Sequence, residues 1–414
     1  MKTPVSLLFI VFCSQAVFFT HWQPALAKSS SPHLLKTESI DRHSAQFYLK
    51  QGHNKYKSKD YRSAIDDFTK AIALNPKFTA AYLYRGMARA ILNNDRDAIA
   101  DYTKAIESNP NSHDSYYNRG NSKAKLQDDL GAIDDYTKAI SFNSNYPYSY
   151  LNRGNSRASL KDYQDAIEDY SKAIKLNPSY SEAYFNRGNS KSSLKDDRGA
   201  INDFNKAIEI EPKLFEAYYN RGNSKYRLRE MKSAIDDYNK TIELNPKFAM
   251  AYNSRGNAKL DFKDDRGAIS DYNKSIDIDP KLAIAYNNRG NTRFSTGDNI
   301  NAIIDYSKAI ELNPNYVNAY NNRGVARYKS GDKDGAIADY GQALKINPEH
   351  TKARQNLDLI KSDLGYRLSS SVSTNSLPLA ILAVFIGSLG VWRYRKSSIV
   401  NIPKQTKINE GESE

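Results

Sequence analysis

Placed on a helical wheel at about 100° per residue, residues 45–350 sort into blocks of 34. In each block, positions 3, 4, 7, 11 and 14 share one arc, and positions 2, 5, 6, 9 and 13 share the opposite arc. The first arc is predicted to face partner helices. Each block is predicted to form two antiparallel helices, helix A over positions 1–14 and helix B over roughly 17–30. Asp near position 16 (Asp60, Asp162, Asp264, Asp332) is placed to cap helix B. Asn-Pro at 31–32 ends it, because the residue before proline is driven out of the α region. Gly recurs at position 8 from Gly52 to Gly324, and Ala at position 20 from Ala64 to Ala336, in steps of 34. These small residues let the two helix axes approach. Pro recurs at position 32 from Pro76 to Pro348, except that Ser144 fills one slot. Pro147 then falls at the first position of a helix A, where its missing N–H does no harm.

No block can bury its own apolar stripe, so neighbours are expected to stack. Nine blocks fit: 45–78, 79–112, 113–146, 147–180, 181–214, 215–248, 249–282, 283–316 and 317–350. After them, Ala353, Leu357, Ile360 and Leu364 make one apolar stripe. This predicts a capping helix over 351–365, stopped at Gly365.

The block resembles the tetratricopeptide repeat (TPR). That family has an aromatic at position 4, Gly at 8, Ala at 20, an aromatic at 24, Ala at 27 and Pro at 32. Position 4 is Tyr in every block, from Tyr48 to Tyr320, and position 24 is Phe68, Tyr102, Tyr136, Tyr170, Phe204, Tyr238, Tyr272, Tyr306 and Tyr340. The wording NRGN…AI-DY-KAI-LNP is similar to arrays common in cyanobacteria and other bacteria. The resemblance implies an all-α fold: a right-handed α-solenoid of nine helix-turn-helix repeats plus the capping helix.

Three positions depart from the family, which usually has Leu at 7 and often Tyr at 11 and 23. Position 7 is Arg in the second to ninth blocks, from Arg85 to Arg323. Position 11 is Lys or Arg throughout, and position 23 is Asp from Asp67 to Asp339. In a hairpin where position 8 meets 20, position 7 reaches 23. A ladder of Arg–Asp pairs, within or between repeats, is therefore predicted on the packed face, with a structural role.

Asparagine dominates two positions of the other arc. Position 6 holds Asn118, Asn152, Asn186, Asn220, Asn288 and Asn322, and position 9 holds Asn121, Asn155, Asn189, Asn223, Asn257 and Asn291. Spaced i, i+3, they sit one above the other. The resemblance implies that this arc lines the concave groove. Stacking is expected to bring the amides into two parallel rows, whose donors and acceptors suit the N–H and C=O of an extended peptide. A similar ladder at position 6 holds substrate backbone in the TPR array of O-linked N-acetylglucosamine transferases. The terminal repeats lose the pattern at His53, Met87 and Val325. The bland alternative is that the amides recur only because the block was duplicated. Clamping of a C-terminal carboxylate is not expected, since position 2 carries no Lys or Arg and position 5 is Leu, Tyr, Phe or Asn.

The two ends read differently. Residues 5–19 are apolar, follow Lys2 and lead to Ala25-Leu26-Ala27, the shape of a secretory signal over 1–27. Residues 28–44 and the Ser-rich 366–376 read as linkers. Residues 377–392 are apolar and precede Arg393, Arg395, Lys396, Lys404 and Lys407. Sixteen helical residues span about 24 Å against a hydrocarbon core of roughly 30 Å, and Trp392 and Tyr394 suit the interface. This predicts one transmembrane helix, a cytoplasmic tail over 393–414 and an extracytoplasmic array.

Composition narrows the functions further. The net charge of +13 divides as +2 over 1–44, +7 over 45–350 and +4 over 351–414. It is spread over a mixed surface, so a nucleic-acid partner is not expected. Cys13 is the sole cysteine, so no disulfide framework or thiol chemistry is expected. The six histidines are scattered without ligand spacing, and the Asp pairs lack the form of a calcium loop. No cofactor, metal or catalytic role is expected. The expected function is protein–protein interaction at a membrane, through extended segments of a protein partner. The alternative is a structural envelope scaffold that associates with itself.

Overall fold

The computed structural model describes the backbone of residues 32–370 and the side chains of residues 43–362. The expected signal (1–27) and transmembrane segment (377–392) lie outside the described residues. Among the described residues there are nineteen helices and no strand, and no helix is long and apolar enough to cross a membrane. They fall into two compact halves, one ending at Asp196 and one beginning at Asp197.

The N-terminal half holds α1 (Pro32–Lys57), α2 (Tyr61–Leu74), α3 (Thr79–Ile91), α4 (Asp95–Ser108), α5 (His113–Lys125), α6 (Asp129–Phe142), α7 (Pro147–Ser159), α8 (Tyr163–Leu176) and α9 (Ser181–Ser193). Helices α1 to α8 pair in sequence as hairpins, and each even-numbered helix also packs on the next odd-numbered one. Successive A helices touch as well, α3 on α5, α5 on α7 and α7 on α9. The C-terminal half holds α10 (Asp197–Ile210), α11 (Phe215–Arg227), α12 (Met231–Leu244), α13 (Ala249–Asp261), α14 (Asp265–Ile278), α15 (Ala283–Ser295), α16 (Asn299–Leu312), α17 (Val317–Lys329), α18 (Lys333–Ile346) and α19 (Thr351–Ser370). Here α11 to α18 form the hairpins, α10 packs on α11 and α19 on α18.

One core motif repeats. The position-24 ring lies fully buried beside the position-20 and position-27 alanines, as Tyr170 does with Ala166 and Ala173. The space for that ring comes from position 8. A Cβ on Gly154 would stand 2.7 Å from Cε1 of Tyr170. Glycine is therefore required by a side chain of helix B pressing on the backbone of helix A.

The A-to-B turn is a Schellman motif. In the fourth block, Asp162 N–H donates to Arg157 C=O (2.9 Å) and Lys161 N–H to Ala158 C=O (2.9 Å). Position 15 takes the left-handed conformation this requires, with φ between 59° and 66° at seven non-glycine residues, and glycine only at Gly297 and Gly331. The following residue opens helix B. Asp60, Asp264 and Asp332 accept the expected capping bond, and Asp128 and Asp298 do the same. Asp162 occupies the cap position, but its side chain makes no capping bond, contrary to expectation. At the other turn, position 31 is extended and its Oδ1 accepts from the N–H two residues on, as Asn75 does from Lys77 (3.2 Å).

Two boundaries differ from the sequence reading. Helix α1 begins at Pro32, inside the expected 28–44 linker. Proline is preorganised for a first turn, and no Gly or Pro interrupts residues 33–51. Helix α19 runs to Ser370 rather than stopping at Gly365, so the first residues of the expected 366–376 linker are helical. Glycine inside a helix costs about 1 kcal/mol, too little to end one where helix-compatible residues follow.

Candidate binding surface

The packed side of helix A is built on position 7. Arg153 grips Asp169 through Nε (3.0 Å to Oδ2) and Nη2 (2.7 Å to Oδ1), while Nη1 donates to Thr137 of the preceding helix B (3.0 Å). Arg157, from position 11, reaches the same carboxylate at 2.8 Å. The Arg153 guanidinium also lies 5.8 Å from the Tyr150 ring centroid. Arg85, Arg119, Arg221, Arg255, Arg289 and Arg323 repeat the grip on Asp101, Asp135, Asp237, Asp271, Asp305 and Asp339. The expected ladder therefore pairs within repeats. Its inter-repeat link runs through Thr, Ser or Asn at position 25, which the sequence reading missed. Hydrogen bonding to Asp135 raises the Arg119 pKa above its ordinary value, so the guanidinium stays charged. In the first block Gln51 replaces the arginine, and Lys55 alone from helix A reaches Asp67, at 2.6 Å.

The other arc bridges the two rows of asparagines between neighbouring repeats, in pairs in the N-terminal half and as a linked run in the C-terminal half. Asn152 Nδ2 donates to Asn121 Oδ1 (2.8 Å) and to the Tyr117 hydroxyl (3.1 Å). Asn186 Nδ2 donates to Asn155 Oδ1 (2.9 Å). These two position-9 oxygens also accept from the phenol at position 24 of their own repeat, Tyr136 to Asn121 and Tyr170 to Asn155, both 2.9 Å. Burial pushes those phenols well above their ordinary pKa, so they remain donors. In the C-terminal half, Asn288 and Asn322 donate to Asn257 (3.1 Å) and Asn291 (3.0 Å), which also accept from Tyr272 and Tyr306. Tyr238 donates to Asn223 at 2.9 Å.

Nine of the twelve expected residues take part in these bonds, and Asn189 and Asn220 are buried. Asn118 turns back to its own helix, donating to Asp114 C=O (2.8 Å), because the preceding position 9 is Met87, which offers no oxygen. None of the twelve is fully exposed. Position 5 departs from the wheel: Tyr117, Leu151, Phe185, Tyr219, Asn253, Asn287 and Asn321 are buried there. Helix A is flanked by its own helix B and by the next repeat, so its covered arc exceeds half the wheel. Three of these extend the amide chain unforeseen. Asn253 and Asn287 accept from Asn288 (3.1 Å) and Asn322 (3.2 Å). Asn321 accepts from Asn356 of α19 (3.1 Å), which carries the chain into the capping helix. Asn356 stands at position 6 of a tenth, degenerate block, a signal the sequence did hold.

Models of the tetratricopeptide repeat match 147–180, 215–248 and 317–350, and two further ones match 49–112 and 113–146. A model described as TPR repeat matches 193–228 and 290–331. Together they account for more than half of the chain. No curated protein matches it. Among solved structures, the chain is similar to the APC/C hetero-tetramer Cut9–Hcn1 (14% identity, TM-score 0.50, covering 76% of each chain). It is similar to a tetratricopeptide repeat protein from Parabacteroides merdae (21% identity, TM-score 0.50, 60% of this chain and 98% of that one). It is also similar to the MamA protein (26% identity, TM-score 0.39, 41% of this chain and 93% of that one).

Proposed function

The chain belongs to the tetratricopeptide repeat family, whose members generally mediate protein–protein interaction, and from that premise we propose a membrane-tethered adaptor or assembly factor. It binds extended segments of a partner protein along the amide-bearing face, as the concave groove of a right-handed array of nine repeats. A signal over 1–27 and a membrane helix over 377–392 hold that array outside the cytoplasm. The observation that carries this reading is the unused half of each amide pair. Asn121, Asn155, Asn257 and Asn291 each accept two bonds, while among the described residues their Nδ2 groups meet no acceptor. A peptide carbonyl is a matching acceptor.

The experiment is capture from solubilised membranes with the tagged full-length chain, beside a variant carrying Asn→Ala at 152, 155, 186, 189, 220 and 223. Equal helicity of the two proteins is checked by circular dichroism. A partner retained by the wild type and lost by the variant supports the reading. Equal retention places binding on another surface.

One observation favours the second reading, a self-associating scaffold. Leu92, Leu126, Leu160 and Leu194 recur at position 14, each between 41% and 47% exposed. They form an apolar row at the A-to-B turns of the N-terminal half. Loss of self-association in a Leu126→Ser/Leu160→Ser variant, by sedimentation velocity, would support it.

A further inference from the structure

The occupant of the amide face follows from its hydrogen-bonding balance and its spacing, granted the groove-binding reading above. The Asn155–Asn186 pair leaves one donor, Asn155 Nδ2, and one acceptor, Asn186 Oδ1. The Asn121–Asn152 pair does the same. Among the described residues, none of these four atoms is both fully buried and unpartnered, so each keeps access to solvent. In the C-terminal half the balance shifts toward donors. Asn288 Oδ1 takes the Asn287 amide (3.4 Å), and Asn322 Oδ1 takes the Asn321 amide (3.3 Å). The donors of Asn257 and Asn291 stay unused. The N-terminal pairs meet one C=O and one N–H of a ligand each, and the C-terminal pairs fit a ligand with more carbonyls than N–H groups.

Spacing selects the conformation. Successive A helices touch directly in both halves, and packed helices stand about 8–10 Å apart. One amide pair therefore recurs at that step. A polyproline II helix repeats every three residues, about 9.3 Å, with its backbone groups free. A β-strand repeats its faces every two residues, about 6.6 Å, and falls out of register by the next pair. Tyr148 adds a platform. It stands at position 2, one turn before Asn152, and is 42% exposed. Its ring is held by Tyr146 (5.1 Å) and Tyr180 (5.3 Å). Flat aromatic faces of this kind line polyproline grooves.

We propose that the amide face takes a proline-containing polyproline II segment of a partner, one peptide group in three meeting an Asn pair and a prolyl ring resting on Tyr148.

The test uses the full-length chain and two fluorescent peptides of about 15 residues, five polyproline II turns. One has proline at every third position, and the other has threonine at those positions. The proline peptide is expected to bind about ten-fold or more tightly than its partner. Asn155→Asp keeps an oxygen for Tyr170 and Asn186 but removes the outward donor. It is expected to weaken binding about ten-fold, as is Tyr148→Ala. If Asn155→Asp fails to fold, Tyr148→Ala decides, and unchanged affinity overturns the proposal. If the threonine peptide binds as well and remains sensitive to the asparagines, the polyproline inference falls while groove binding stands. Binding of both peptides that ignores the asparagines overturns both readings. Failure of both peptides to bind overturns this inference, and the capture experiment then judges groove binding separately.

Discussion

Replacing Asp169 with asparagine keeps the shape of the side chain and removes its charge. Asp169 is 2% exposed and receives four bonds from two arginines, at 3.2, 3.0, 2.7 and 2.8 Å. The variant leaves Arg153 and Arg157 facing a neutral amide. Removing one partner of a buried ion pair costs about 3–5 kcal/mol. The two guanidinium side chains keep 14% and 21% exposure and hence some hydration, so the lower end applies, about 3 kcal/mol. In a stacked array that loss falls on one repeat and its interfaces. Urea unfolding of the full-length chain, followed by circular dichroism, should show an earlier or split transition. Hydrogen exchange should accelerate in α7 and α8 first. Asp67→Asn is the internal control: its partners Lys55 and Lys70 are 40% and 57% exposed, so the loss should be about 1 kcal/mol or less. The apolar double variant Arg153→Leu/Asp169→Leu should recover most of the stability. The reasoning fails if Asp169→Asn lies within about 0.5 kcal/mol of wild type, a typical neutral surface change, or costs no more than Asp67→Asn.

Gly154→Ala should destabilise by about 1–2 kcal/mol in urea melts. Overpacking against Tyr170, whose hydroxyl is held by Asn155, costs about 1–3 kcal/mol and outweighs the gain in helix propensity. Gly341→Ala should instead stabilise by up to about 1 kcal/mol, since its Cβ would meet nothing within 4 Å. Lys161→Gly should raise the melting temperature, because Lys161 holds φ at 66° and a left-handed L-residue costs about 1–2 kcal/mol, partly offset by glycine's greater freedom when unfolded. Acid should loosen α19. His350 Nδ1 accepts from Ala353 N–H at 3.1 Å, and burial, with Lys352 nearby, lowers its pKa below the usual 6.5. The folded state thus prefers the neutral ring. Stability is full above the unfolded value and falls as pH drops from it toward the lowered folded value. Hydrogen exchange in α19 should quicken at about pH 5 relative to about pH 7, and His350→Gln should flatten that response.

The periodic elements were legible because they follow from single residues. Gly154 and Ala166 marked close approach, and Asn-Pro at position 31–32 marked the end of helix B. Arg153 and Asp169 found each other from spacing alone, since one hairpin register brings 7 to 23. What escaped depended on three bodies at once. The wheel treats a helix as having one partner, so it left position 5 open where the next repeat, through Ala183, covers Leu151. It put the asparagines in separate rows, because the bridge between them runs from one repeat to the next, as from Asn152 to Asn121. Position 15 gave no warning, since Lys, Arg and Gln conceal a left-handed turn that glycine would have announced.

The claim that the amide face is the working surface is tested most directly by site-specific photocrosslinking in cells producing the full-length chain. A photoreactive phenylalanine derivative, which keeps an aromatic ring, is placed at position 148, one turn before Asn152 on the amide face, and separately at position 160, in the exposed leucine row. Adducts with an extended segment of a partner from position 148, absent from position 160 and abolished by Asn→Ala at 152, 155 and 186, are the predicted result. Adducts from position 160 alone would contradict the account and move the interaction to the turns.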